Sequence, residues 1–297
     1  VSPDAPRLRW RPETGTFAPV AAIPPAVVDS LLVADGRARA VAAHRSRFAA
    51  GCAQLYGVPE AEAARFVTAA IAAIPARGRW FPRFELALVD GRRQWRLWRR
   101  PAPPRGTAVR LWLGPPDDRT VPQVKGPDLA RLSRLRDDAR RAGADEAVLL
   151  AADGSVLEGA TTSILWWDGD VLCTADPAVP QLPGVTRRLL IEAVTAAGGR
   201  VDHRRVRPAE LAGAEVWAVN ALHGIRPVTG WVGAAIGAGP AHRFPRWQAH
   251  LDRLAETLTA QPAAGPRARP TSVGGPHRPA HRRFAAARPT RGDDGNS

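Results

Sequence analysis

Apolar residues recur along this chain in two rhythms, alternation that marks strands and spacings of three and four that mark helices. Ser30–Val33 and Ala38–Ala42 read as short strands around the Asp35-Gly36 turn. A helix follows over His44–Leu55. A second runs from about Pro59 to Ile74, with Pro59 suited to the first turn and Glu60 and Glu62 to the positive helix start. Strands are predicted at Phe84–Val89, Gln94–Arg99 and Ala108–Leu113, the first two joined by Asp90-Gly91. A helix over Pro127–Ala142 carries Leu129, Leu132, Leu135 and Ala139 on one stripe, and Gly143 stops it. Four strands come next, at Ala147–Ala151, Val156–Gly159, Ser163–Trp167 and Val171–Thr174, with Asp153-Gly154 and Asp168-Gly169 as turns. After Pro183-Gly184 the pattern predicts a helix to Ala197, a strand at Arg200–Arg205 and a short helix at Pro208–Leu211. A strand at Glu215–Ala221 and a last helix at Arg246–Thr259 complete it.

Strands in runs with helices between them predict an α+β fold rather than a regular βαβ array. The polar stretch Gly114–Pro122 holds three prolines and reads as an interdomain linker. The expected organisation is a small N-terminal α+β domain over 1–115, a linker at 116–122 and a larger α+β domain over 123–262. Residues 263–297 set seven arginines against two aspartates and show no apolar periodicity, so a disordered basic tail is expected there.

The formal net charge is +14, but no basic block is interleaved with aromatics, so no specific nucleic-acid partner is expected. Cys52 and Cys173 have no metal-ligand spacing and read as buried thiols, and no metal is expected. No apolar run reaches spanning length and no signal pattern opens the chain, which predicts a cytoplasmic protein without a membrane partner.

Composition changes the picture at one residue. Of 42 basic residues, 41 are Arg and one, Lys125, is Lys. Arg and Lys both serve on a solvated surface, but only Lys can lose its proton and attack a carbonyl. Lys125 is therefore either a chance survivor or an amine kept for chemistry. Leu182–Arg187 reads as a loop entering a helix, where Gly184 lets the backbone approach a ligand and free N–H groups can bind phosphate; an ordinary helix start fits as well. Glu158 is a carboxylate on an otherwise apolar strand, either turned to the surface or paired with a cation. An amine, an anion site and a carboxylate for the ring nitrogen are what pyridoxal phosphate requires of a protein.

Together these segments resemble the class IV aminotransferase family of fold-type IV pyridoxal-phosphate enzymes, over roughly Asp29–Val228 and most specifically over Ala142–Thr162. The resemblance implies a two-domain, D-amino-acid-aminotransferase-like fold with the cofactor, pyridoxal 5'-phosphate, in the interdomain cleft. Lys125 falls at the family's Schiff-base lysine and Glu158, 33 residues on, at its pyridine-nitrogen partner. Gly184, Val185 and Thr186 fall at the phosphate-binding helix start, and Arg47 at the arginine that also contacts phosphate. Asp128 replaces an asparagine common in the family, and Val28–Leu32 departs from its Gly-x-Phe-Glu-Thr segment, which shapes the substrate side and makes Ser30 a substrate-binding candidate. Asn220-Ala221-Leu222 resembles the corresponding segment of 4-amino-4-deoxychorismate lyases, with Asn220 and Ala221 on the cofactor. That substrate carries two carboxylates, for which Arg226 and then His223 are the candidate contacts. The implied reaction releases 4-aminobenzoate and pyruvate; the alternative is transamination of branched-chain or D-amino acids with a 2-oxo acid. A small-molecule amine is the expected substrate under either reading, and a homodimer the expected assembly.

Overall fold

Phe48, Phe66, Phe84 and Trp95 meet in the first half of the chain, with Phe66 stacked on Trp95 at 5.1 Å and edge-on to Phe84 at 6.4 Å. This cluster presses two helices against a sheet. In the structure, a computed structural model that describes residues 5–258, the first half contains β1 (Arg7–Arg11), β2 (Thr16–Pro19), β3 (Val27–Ser30), β4 (Val33–Ala34) and β5 (Arg37–Arg39). Helices α1 (Val41–Tyr56) and α2 (Glu60–Ala72) follow, then β6 (Arg79–Trp80), β7 (Arg83–Val89) and β8 (Arg92–Trp98). The second half contains β9 (Val109–Pro116), α3 (Leu129–Arg141), β10 (Glu146–Leu150), β11 (Val156–Gly159), β12 (Ser163–Asp168) and β13 (Val171–Ala175). It continues through α4 (Val185–Ala196), β14 (Arg200–Arg204), β15 (Val216–Asn220), β16 (Gly224–Val232), α5 (Phe244–Arg253) and β17 (Ala255–Thr257).

Three sheets result. One runs in the order β2-β1-β8-β7-β3, another β11-β10-β9-β16-β15-β12-β13-β14, and a small one β17-β5-β4-β6. The large sheet is mixed: β9 is parallel to β10 and β16, β13 is parallel to β14, and its other pairs are antiparallel. Tryptophans 167, 217 and 247 pack with Leu190 and Leu251 where α4 and α5 cover one part of it. The fold is α+β, as the strand runs predict.

The Asp-Gly turns behave as read. Asp35, Gly36, Asp90 and Gly91 all have positive φ, the conformation a two-residue hairpin needs. Elsewhere the pattern misplaces elements. The strand expected over Ser30–Val33 is split, because the chain leaves the first sheet after Ser30 and joins β5 and β6 at Val33. The strand expected to Ala42 ends at Arg39, since Ala40 turns with φ 49° and α1 begins at Val41. The last helix ends at Arg253, and residues 255–257 pair with β5. β9 lies in the large sheet and extends to Pro116, so the expected linker overlaps its end. The tail expected at 263–297 lies outside the described residues. No helix among the described residues is long and apolar enough to cross a membrane.

Lys125 is placed by a close backbone crossing. The Val28 N–H donates to Lys125 O at 2.7 Å, and Gly126 sits against β3 with φ 153°. A Cβ there would come within 2.3 Å of Ala26 O and 2.7 Å of Val27 Cα. Gly126→Ala is therefore expected to cost about 1–3 kcal/mol or more in urea unfolding, the cost of forcing a methyl group into packed backbone. Wild-type stability in that variant would contradict this crossing.

Candidate active site

A cavity of about 500 Å³ opens between β3, the Lys125 loop, β11, the start of α4 and the turn after β15. Lys125, Arg47, Glu158, Gly184, Val185, Thr186, Asn220, Ala221, Arg226, His223 and Ser30 all line it. Residues spread over most of the sequence thus share one space. Eight arginines border it, against the acids Asp128 and Glu158, so it suits an anionic ligand.

Lys125 sits where an amine loses its proton easily. Burial, reinforced by the Arg47 and Arg100 charges, lowers its pKa to about 8, although Asp29 and Glu158 pull the other way. Arg47, one turn after His44 on α1, is held by Asp29. Its Nε and Nη2 donate to the two Asp29 oxygens at 2.8 and 2.9 Å, and its Nη1 donates to Pro183 O at 3.1 Å. Asp29 also accepts the Ser30 N–H at 2.7 Å and lies 2.8 Å from His44 Nδ1. Burial alone would raise the Asp29 pKa, but the charges of Arg47 and His44 hold it well below the usual carboxylate range.

Helix α4 starts directly at the cavity. The first intrahelical bond in this turn runs from the Arg188 N–H to Gly184 O at 3.0 Å, which leaves the N–H groups of the first turn free for an anion. A Cβ on Gly184 would meet Ser163 Oγ at 2.3 Å, so the loop lies close to β12 and a side chain there would displace the Ser163 hydroxyl. Across the cavity, Glu158 on β11 accepts from Arg119 Nη1 at 2.8 Å and from the Leu182 N–H at 2.9 Å. Burial pushes the Glu158 carboxyl up, opposed by the Arg119 charge and the Leu182 N–H.

Asn220 lines the cavity at the turn after β15. Its Oδ1 accepts the N–H groups of Leu222 and His223 at 3.1 and 2.8 Å, and its Nδ2 donates to Thr161 O at 3.3 Å. The side chain shapes the turn. His223 Nδ1 accepts the Gly106 N–H at 3.0 Å, which leaves the ring proton on Nε2. Burial and the Arg226 charge lower its pKa to about 4, so it is a neutral donor near neutral pH. Arg226 lies on β16, a strand absent from the sequence reading. Its Nη2 is 3.9 Å from Glu146 Oε2 and its buried Nε has no partner among the described residues.

Residues 29, 44, 100, 119, 136 and 162 join the site without having been singled out. Arg100 donates to Phe81 O at 2.7 Å and weakly to Ser30 Oγ at 3.4 Å, and pairs with no carboxylate among the described residues. Burial and Arg83 lower its pKa to about 10. Thr162 Oγ1 is buried without a partner among the described residues. The His44-x-x-Arg47 spacing, one helical turn, was the available signal for His44. Arg119 lay in a segment read as linker.

Because Lys125 is the only lysine, competitive acetylation with a neutral anhydride reports its titration directly. The ammonium form is inert and the amine reacts, so labelling of the Lys125 peptide is expected to rise through about pH 8 and level off below 10.5. A rise that continues to pH 10.5 would contradict the buried environment described for it.

Comparison with known proteins bears on the fold and the family. A protein from Mycobacterium tuberculosis (strain ATCC 25618 / H37Rv), a bifunctional aminodeoxychorismate lyase / D-amino acid transaminase, is 35% identical over 92 residues. The match spans 28% of this chain and about a third of that protein's length (32%). A fold IV-transaminase from Curtobacterium pusillum superposes with a TM-score of 0.71 at 21% identity, covering 83% of this chain and 98% of that one. The PLP-bound form of a hypothetical aminotransferase from Mycobacterium tuberculosis gives a TM-score of 0.68 at 22% identity, covering 84% and 98%. These two likenesses establish the fold. The sequence pattern of amino-transferase class IV matches residues 26–231, more than half of the chain, and the protein belongs to that family.

Proposed function

We propose that this enzyme is a pyridoxal-phosphate-dependent lyase that converts 4-amino-4-deoxychorismate into 4-aminobenzoate and pyruvate. The observation that carries the reading is the charge of the cavity. Arg100 has no carboxylate partner among the described residues, and Arg226 has an idle buried Nε and only a long contact to Glu146. Buried cations held this way suit a substrate with two carboxylates. The similarity to the bifunctional M. tuberculosis aminodeoxychorismate lyase and the Asn220-Ala221-Leu222 segment support the same substrate.

The residues present fit the cofactor. Lys125 supplies an amine with a lowered pKa, the α4 start supplies free N–H groups beside Arg47, and Glu158 has one oxygen with no protein donor among the described residues. When bound, pyridoxal phosphate supplies an aldehyde for the substrate amine and a ring that withdraws electrons from the carbon bearing it. Arg47 and the N–H groups of Val185 and Thr186 would hold the phosphate, and Glu158 would answer the charge of the ring nitrogen. Lys125 Nζ takes the proton from the substrate carbon that carries the amine. The same amine returns a proton to the methylene carbon of the departing enolpyruvyl group, so the reaction balances without water or a second substrate. Arg226 and the neutral His223 Nε2–H orient a carboxylate.

Transamination uses the same residues, and the M. tuberculosis relative is a D-amino acid transaminase as well as a lyase. The two are separated by incubating the enzyme with 4-amino-4-deoxychorismate and, separately, with D- or branched-chain amino acids and 2-oxoglutarate. Pyruvate is followed through lactate dehydrogenase and 4-aminobenzoate by fluorescence. The lyase reading expects pyruvate and 4-aminobenzoate in equal amounts; keto acids from amino acids without 4-aminobenzoate would establish the transaminase instead. Arg226→Gln is expected to raise KM for the lyase substrate by roughly ten- to a hundredfold, the loss of a charge-assisted bond of about 1.5–3 kcal/mol. An unchanged KM would remove Arg226 from the substrate site. Glu158→Gln is expected to retain cofactor and lose most turnover, and near-normal turnover would show that Glu158 is not the nitrogen's partner.

A further inference from the structure

Glu158 is one member of a buried three-residue cluster. Its Oε1 is engaged by Arg119 Nη1 and the Leu182 N–H, while Oε2 accepts from no protein group among the described residues. Arg119 commits the rest of its guanidinium to Asp117. Nε lies 2.9 and 3.1 Å from the two Asp117 oxygens and Nη2 lies 2.8 Å from one of them. None of the three side chains is more than 9% exposed. Asp117 is itself fixed at the end of β9, where its N–H donates to Leu150 O at 2.7 Å and its Oδ1 accepts the Arg119 N–H at 3.2 Å.

The cluster holds two carboxylates and one guanidinium, and with both acids ionised it carries one net negative charge. Without Asp117, Arg119 would neutralise Glu158 outright. Arg187 from α4 and Lys125 also face Glu158, so this side of the cavity would then be one charge more positive. A neutralised pair surrounded by cations offers nothing to a further positive charge. The hydrogen bonds to Asp117 and Glu158 outweigh burial and raise the Arg119 pKa, so the guanidinium stays charged and the acids must answer it.

We propose that Asp117 is a positioning residue for the cofactor's ring nitrogen, because it keeps the Asp117–Arg119–Glu158 cluster at one net negative charge and thereby selects a protonated nitrogen. This rests on the reading that pyridoxal phosphate binds with its ring nitrogen at Glu158. Asp117 touches neither cofactor nor substrate; it acts through Arg119.

The test compares binding of two ligands to the full-length apoprotein by equilibrium dialysis. One is pyridoxal phosphate and the other its analogue with carbon in place of the ring nitrogen. The readout is the preference for the nitrogen-containing ring, which a purely structural role for Asp117 would not alter. Asp117→Asn is expected to reduce that preference by roughly tenfold, the equivalent of one pKa unit of charge interaction. The double variant Asp117→Asn/Arg119→Gln restores one net negative charge and is expected to return to within about threefold of wild type, the non-additivity that two residues in direct contact show. Arg119→Gln alone leaves both carboxylates unanswered and is expected to raise the preference, which keeps the proposal open to refutation if Asp117→Asn fails to fold. Glu158→Gln is expected to abolish it. An unchanged preference in Asp117→Asn, or an equal loss of affinity for both ligands, with the preference lost in Glu158→Gln, would overturn the role of Asp117 and leave the cofactor reading standing. An unchanged preference in Glu158→Gln would overturn both. A fall in Arg119→Gln would also overturn the proposal.

Discussion

The cavity depends on one buried carboxylate, Asp29 at the end of β3. It is fully enclosed and accepts from Arg47 and from the Ser30 N–H, with His44 Nδ1 against the same oxygen. Burying an acid this completely is tolerable only because the Arg47 guanidinium and the hydrogen bonds around it answer the charge, and Arg47 would be stranded without it. Through Arg47 the same carboxylate reaches Pro183 O, one residue before the loop that opens α4. Val28, its neighbour on β3, holds the Lys125 carbonyl. The amine, the start of α4 and the arginine beside them are therefore referred to one short strand.

Charge placement follows the same logic throughout the site. With 41 arginines in the chain, a cation is available almost anywhere, and the buried acids decide what each cation does. Asp29 orients Arg47, Asp117 engages Arg119, and Glu146, whose carboxyl burial pushes up, stands behind Arg136 and Arg226. Lys125 is the exception in kind. Its pKa falls far enough that its protonation changes near neutral pH, which no arginine in the cavity can match.

Much of this was legible in the sequence. The Asp-Gly turns marked hairpins, and Leu135 and Ala139 on α3 face the core as their spacing requires. The motif residues from Arg47 to Arg226 converge on one cavity. β16 escaped notice because Gly224, Pro227 and Gly230 break its pattern, yet β9 and β15 pair with it from both sides. The Asn220 side chain closes its own turn while the residue lines the cavity, a choice of hydrogen-bond partners that spacing does not encode. Arg119 and Asp117 looked like linker residues. Their importance arises only when β9 brings them beside β11, 39 residues away at Glu158.

The central claim is that Lys125 is the residue that holds pyridoxal phosphate, and peptide mass mapping after borohydride reduction of the cofactor-loaded protein tests it most directly. The account predicts the phosphopyridoxyl mass on the peptide containing Lys125 and its loss in Lys125→Ala and Lys125→Arg, since a guanidinium stays protonated and cannot attack the aldehyde. A loaded, active protein with no modification at Lys125 would contradict it.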